Sequence, residues 1–436
     1  MTDTTIVAIL ARRVWDSRGR PTIEAEVHLA CGSKGRAIAP AGASRGSREA
    51  LDLRDGGKRL AGMDVSSALS SIRDRIAPLL IGRDAADQAG CDAAMIALDG
   101  TALKSALGGN AIVACSLALV HAVAAAQHVP LWAYLAKSYG RKPSLPLPEI
   151  QIFGGGAHAG RRTDVQDFMV MVPGAGSLDE VMEVTSEIYI AAGSLMAAKG
   201  RLVGVADEGG WWPEFKNTTE ALETLMQAIE LAGETPGQRV VVSLDIAASE
   251  FGANGRYTMG LEGRVLDSGQ LIDLLGQWIA DFAVASIEDP LAEDDPAGMQ
   301  AFTARFADKV QIIGDDYLVT NADLISAAGA DRACNAALIK INQAGTLTET
   351  VAALAAAETA GWGRIVSARS GETEDTSISH MAVGLGAGQL KVGSITRSER
   401  LAKWNELLRI AEDPNAGAFV GGLPLRATWW GRKTSP

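Results

Sequence analysis

Six charged residues stand at or near the ends of six short apolar runs in this 436-residue chain. VVVSLD ends at Asp245, AVASIED carries Glu288, VQIIGDD carries Asp315, ALIK ends at Lys340, RIVSARS carries Arg369 and GQLK ends at Lys391. Three carboxylates gathered in one small mouth need a cation between them. Oxygen-only ligands select a hard ion, so Mg2+ is expected, with water or substrate completing its shell. Any one of these carboxylates could be a helix cap or a surface charge. All three in one register, each after a buried run, favour the shared site. An ammonium beside a divalent ion and a second ammonium is drawn towards neutrality. A shift from about 10.4 to about 7–8 costs roughly 4 kcal/mol, within reach of a metal's field. Lys340 or Lys391 in that state can abstract a weakly acidic proton next to a carboxylate. The plainer alternative gives each lysine only an ion pair with a metal carboxylate.

Other segments carry partners for such a base. ADEGGWWP places Glu208 in a glycine-flanked turn, and DVQDF places Gln166 and Asp167 near another strand end. A carboxylic acid opposite the lysine can protonate a leaving hydroxyl. His158, in FGGGAHAG, sits in a glycine-rich loop and is expected to contact substrate or phosphate; a lone histidine is more often structural. Arg369 and Ser370 put a guanidinium and a hydroxyl within reach of the same oxygens, as a phosphate clamp would.

The elements that must position these residues follow from the same runs. Apolar stretches of four to six residues rich in Val and Ile read as strands buried on both faces. Ala- and Leu-rich stretches at Leu271–Phe282, Ala322–Ala330 and Leu347–Ala360 read as helices between them. Strand then helix, repeated every 22–43 residues, predicts a parallel β/α barrel whose strand ends converge on one mouth. Upstream, Thr5–Ala11 and PTIEAEVHL alternate apolar and polar residues as half-exposed antiparallel strands do, and GRAIAP reads as a third strand. Residues 64–138 are helical in pattern. The expectation is an α+β domain over 1–138 and a barrel over 139–436, divided at the proline-rich KPSLPLPE. AGASRGSREA reads as a mobile loop, and RSERLAKWNELLRI as a basic helix on the outside of the barrel.

Composition narrows the function classes. A net charge of −12 argues against nucleic acid or an anionic membrane as partner. Four cysteines without CxxC spacing read as reduced thiols of a cytoplasmic protein. IVAIL is too short for a signal peptide, and Ala111–Gln127, Ala-rich and containing His121, reads as a buried helix.

DSRGRPT, AGASRG, GGAHA, DEGG, SLDIAASEF, SIEDP, GDD, LIKINQAGTLTET, RSGETEDT and RSER…NELLRI, in that order, closely resemble the enolase family over nearly the whole chain. The resemblance implies an α/β fold: a modified (β/α)8 barrel with an N-terminal α+β capping domain, usually dimeric. It implies one or two Mg2+, the first on Asp245, Glu288 and Asp315 and a second on Ser44 of the capping loop. Lys340 would be the base, with Lys391 stabilising the enediolate. Glu208, assisted by Asp167, would expel the hydroxyl, and His158, Gln166, Arg369 and Ser370 would hold the substrate.

Departures from the family gather around the mouth. Ala368 replaces a histidine, and Asp167 replaces the usual glutamate. Arg45, Arg161 and Arg162 add cations on loops, and Trp211 and Trp212 add indoles. Cations grip anions and indoles offer stacking faces. The expected substrate is therefore a small anionic phospho- or phosphono-carboxylate, with a nucleotide-activated phosphonoformate of antibiotic biosynthesis preferred. The alternatives are the ordinary dehydration of 2-phosphoglycerate and an inactive enolase fold that serves as a binding protein.

Overall fold

The computed structural model describes residues 2–434. Three antiparallel strands open the chain: β1 (Ile6–Trp15), β2 (Pro21–Leu29) and β3 (Lys34–Ile38), in that order across the sheet. The helix Gly109–Ala126 lies on β2 and β3. Its approach is close because Gly35 has no side chain: a Cβ there would stand 2.0 Å from the backbone nitrogen of Ala122. This helix is the one described element long and apolar enough to cross a membrane, and 89% of it is buried within the fold.

Eight strands close into a barrel. They are β4 (Leu147–Gly154), β5 (Asp167–Met171), β6 (Val241–Asp245), β10 (Val284–Glu288), β11 (Gln311–Gly314), β12 (Ala336–Ile339), β13 (Gly363–Ser367) and β14 (Gly388–Ser394). A small antiparallel sheet, β7 (Gly252–Ala253), β8 (Arg256–Met259) and β9 (Arg264–Asp267), is inserted after β6.

The barrel is not parallel throughout, which corrects the simple strand–helix expectation. β5 runs antiparallel to both β4 and β6. The connection from β4 to β5 holds a single 3-10 turn, Gly156–Ala159, and no crossover helix, so the chain doubles back. The antiparallel turn places the glycine-rich loop with His158 beside Asp167, at the mouth.

The intervening helices start where local chemistry satisfies their first N–H groups. Asp267 and Gln270 form a reciprocal capping box at Ser268–Asp281. Asn321 caps Ala322–Ala330, and Thr346 caps Leu347–Thr359. The C-terminal helix Ser398–Ala411 covers the barrel, yet Arg400, Lys403 and Trp404 on it are fully buried. It is thus more than an outer layer. The capping domain docks on the barrel through reciprocal backbone bonds between Ala41 and Gly371, 2.9 and 2.8 Å, and an ion pair of Lys104 with Glu349, 2.9 Å.

Candidate active site

Asp245, Glu288 and Asp315 end three adjacent strands of the barrel, β6, β10 and β11, and all three are buried. Lys391, inside β14, reaches across the mouth to Asp245 Oδ2 at 2.9 Å and Glu288 Oε2 at 2.8 Å. Asp167 Oδ2 is 3.6 Å from the same ammonium. Lys340, just beyond β12, donates to Asp315 Oδ2. Five of the six charges named from the runs therefore converge here.

The protein's own groups act on the lysines in the direction opposite to that of a dication. Burial opposes the charge on both ammonium groups, but the surrounding carboxylates together outweigh it, Asp315 and Glu288 at Lys340, and Asp245, Glu288 and Asp167 at Lys391. Both pKa values are raised. The predicted drift towards neutrality needs a dication's field. Among the protein's own groups the carboxylates dominate, so the sign is reversed. Burial, reinforced by the charge of Asp245, pushes Glu288 well above the usual carboxylate range.

The donor set suits a hard cation. It is all oxygen, it is buried, and Glu288 Oε1 has no hydrogen-bond partner. Among the described residues, the ligand atoms within 4.8 Å of one another belong to His158–Asp167–Glu208 and Asp289–Asp315–Asp316. The predicted Asp245–Glu288–Asp315 set lies outside that spacing, its charges met by Lys391 and Lys340. Asp289 acts on the backbone: its carboxylate accepts the N–H of Asp315 at 2.8 Å and of Asp316 at 2.7 Å, fixing the turn after β11.

Opposite Lys340 stands a second cluster. His158 Nδ1 is 3.0 Å from Asp167 Oδ1, and its Nε2 is 3.7 Å from Glu208 Oε1. Burial disfavours the imidazolium, yet Glu208 and Asp167 together outweigh it and raise its pKa to about 9. Asp167 is correspondingly lowered: burial opposes its charge, but His158 prevails. Gln151 donates to Asp167 and accepts the N–H of Gly210 at 2.8 Å, so one amide sets both the acid and the Glu208 turn. Gln166 donates to Asp245 Oδ2 at 3.1 Å.

Lys340, Lys391, His158, Gln166, Asp167, Glu208, Asp245, Arg369, Ser370, Ala368 and Ser44 line one cavity of about 20 Å³. That volume holds on the order of one or two waters. The capping loop covers it, and Ser44 faces it from that loop.

Four loop residues assigned to a bulkier ligand are engaged elsewhere. Arg161 binds Glu250 at 2.6 Å, and Arg162 binds Glu214 at 2.9 Å. Trp211 stacks on Tyr189 with ring centroids 4.6 Å apart, and Trp212 Nε1 donates to Glu214 at 3.1 Å. Arg45 is exposed on the capping loop and is absent from the cavity wall. Loop composition cannot report which way a side chain turns. Ion pairs with Glu250 and Glu214, distant in sequence, decided it.

Sequence reasoning missed several residues. Glu49, 3% exposed, accepts from both terminal nitrogens of Arg369. Arg400, fully buried, donates to the carbonyl oxygens of Arg369, 2.6 Å, and of Ser370, fixing the turn that presents them. Both lie in motifs already noted, AGASRGSREA and RSER, where a charged residue in a loop or on a helix gave no sign of its burial.

The arrangement defines a class first: a capped β/α barrel whose mouth sets two lysines and a histidine–carboxylate pair among buried carboxylates that could hold a cation. Two family models make it specific. "Enolase, N-terminal domain" matches residues 6–135, and "Enolase, C-terminal TIM barrel domain" matches 142–427. The chain belongs to the enolase family.

Proposed function

We propose that this protein is a Mg2+-dependent lyase that removes the proton next to a carboxylate in a 2-phosphoglycerate-like acid and expels the hydroxyl on the neighbouring carbon. The observation that carries this reading is the placement of Lys340 and the His158–Asp167–Glu208 cluster in the wall of one small cavity. Elimination needs a base and an acid at the same substrate, and this cavity offers one of each. Asp245, Glu288 and Asp315, with Ser44 for a second ion, would hold Mg2+, which when bound supplies positive charge against the negative charge developing on the substrate carboxylate. Lys340 takes the proton as the neutral amine, a form that Mg2+ on the neighbouring carboxylates would favour against their pull. Lys391 keeps its ammonium beside the developing enediolate. His158, charged at neutral pH, holds Asp167 and faces Glu208, through which its proton passes to the leaving hydroxyl, so that the group departs as water. Arg369, Ser370 and Gln166 hold the substrate's anionic groups. The enclosing walls exclude bulk water, which strengthens every one of these interactions.

A cavity of about 20 Å³ is smaller than any phospho-carboxylate, so the capping loop would open to admit substrate in either reading. A second reading rests on Ala368 and Asp167, each smaller than the family's usual histidine and glutamate and both in the cavity wall. In that reading the protein is a carboxyphosphonoenolpyruvate synthase-like enzyme acting on a nucleotide-activated phosphonoformate, and the capping loop opens to admit it. An inactive binding protein fits poorly with a full set of buried lysines and carboxylates. A cytoplasmic homodimer completes the proposal, and light scattering tests its stoichiometry.

The test is turnover of 2-phosphoglycerate with Mg2+, followed by absorbance of the enolpyruvate product. Ordinary rates of about 1–10³ s⁻¹, abolished by EDTA, support the small-acid reading. Absence of turnover by folded, Mg2+-binding protein, with consumption of cytidylyl-phosphonoformate, would replace it with the second.

A further inference from the structure

Arg369 has five N–H donors, and four of them are already used. Nη1 donates to Glu49 Oε2 at 2.9 Å and to Asn342 Oδ1 at 3.1 Å. Nη2 donates to the backbone oxygen of Ser44 at 3.0 Å and to Glu49 Oε1 at 3.2 Å. Glu49 belongs to the capping domain and Arg369 to the barrel, and both are buried, at 3% and 4% exposure. Glu49 is itself held from other sides. Its Oε1 accepts the N–H of Gly46 at 2.9 Å and the side-chain amide of Gln343 at 3.3 Å. The same Gln343 nitrogen donates to Asp315 Oδ1 at 2.8 Å, and Gln343 Oε1 accepts from Thr320, whose hydroxyl takes the N–H of Lys340 at 2.9 Å. Gly42 leaves room for the guanidinium: a Cβ there would fall 2.0 Å from Arg369 Nη2.

We infer that Glu49 is a positioning residue for substrate binding: it clamps the Arg369 fork and, through that clamp, fixes the capping loop over the cavity in register with Asp315 and Lys340. A charge-assisted bidentate pair fixes orientation as well as contact. With both terminal nitrogens engaged, Nε–H is the one donor of Arg369 left over for an incoming anion. Gln343 ties this geometry to the carboxylate that holds the base. Loop closure and assembly of the anion pocket thereby become a single event. The effect on substrate rests on the proposed reading of Arg369 as an anion contact; the clamp on the loop does not.

Two experiments separate these. In ligand-free protein, tryptic cleavage between Arg45 and Gly46 reports whether the loop is held. Glu49→Gln should speed that cut about 10–100-fold, the factor expected for loss of a hydrogen bond to a charged group. Arg369→Lys, which keeps the charge but loses the fork, should do the same and guards against misfolding of the first variant. Unchanged cleavage in both, with the fold intact by circular dichroism, overturns the clamp. With 2-phosphoglycerate as probe, Glu49→Gln should lower kcat/KM about 10–100-fold, mostly through KM, and Glu49→Asp should restore part of it. In the Arg369→Lys background the same change should have little further effect, since Glu49 acts through the fork. Full additivity would mean that Glu49 is only structural and would overturn the inference. A wild-type enzyme inert towards 2-phosphoglycerate would instead refute the proposed substrate, leaving the proteolysis to decide the clamp.

Discussion

Replacing Lys391 with methionine removes one ammonium from a dry site that holds several carboxylates. Asp245 would keep only Gln166 as a donor to Oδ2, at 3.1 Å. Glu288 would keep none, because its Oε1 already lacks a partner and its Oε2 bonds to the lysine. Breaking a buried ion pair from one side costs about 3–5 kcal/mol, since the remaining charge stays desolvated. Glu288, whose pKa is already raised by burial and Asp245, can take up a proton and limit the loss, so the cost shrinks as pH falls. A divalent cation on Asp245, Glu288 and Asp315 would replace the missing charge. Urea unfolding of Lys391→Met in EDTA should therefore show a loss of about 3–5 kcal/mol at pH 7–8. Saturating Mg2+ should restore more stability to the variant than it adds to the wild type, where an excess of 100 Kd is worth about 2.7 kcal/mol. A loss under about 1 kcal/mol, or an equal gain from Mg2+ in both proteins, would refute the idea that lysine and metal serve the same carboxylates.

Other outcomes follow from the same geometry. His158 is raised from 6.5 to about 9 in the fold, so its contribution is full below about pH 6.5 and is lost as pH rises through 9. The contribution is roughly 3 kcal/mol, and His158→Gln should flatten the unfolding free energy across that window. Arg161→Ala breaks an exposed pair with Glu250 worth under about 1 kcal/mol; KM for 2-phosphoglycerate should change less than about twofold. Gly42→Ala should mimic loss of the loop clamp, because its Cβ would collide with the Arg369 guanidinium, and its kcat/KM would fall with Glu49→Gln rather than independently of it.

The strand ends were legible because the barrel buries β-branched runs on both faces and leaves the terminal charge at the mouth. Asp245, Glu288 and Lys340 follow directly from that rule, whereas Lys391 reaches the mouth from within β14, which runs on to Ser394. The reversal of β5 was not legible, since a short buried run reads the same in either direction. Only the loop before Asp167, with its one 3-10 turn and no crossover helix, marks the change. Glu49, Arg400 and Gln343 were hidden for a different reason. Their importance comes from burial against residues up to 320 positions away, and no local pattern encodes it. Arg161 and Arg162 differ in the opposite sense: their residue type suggested an anion, and in the fold each pairs with an acidic side chain from another segment.

In the proposed reaction Lys340 removes the proton beside the substrate carboxylate. The most direct test of that role is exchange of that proton in D2O, read by NMR on 2-phosphoglycerate with Mg2+, for wild type and Lys340→Ala. Exchange is expected in the wild type, with a fall of about 10²–10⁴-fold in the variant and Mg2+ binding intact. Undiminished exchange by Lys340→Ala, or none by a wild-type enzyme that binds the substrate, would contradict it.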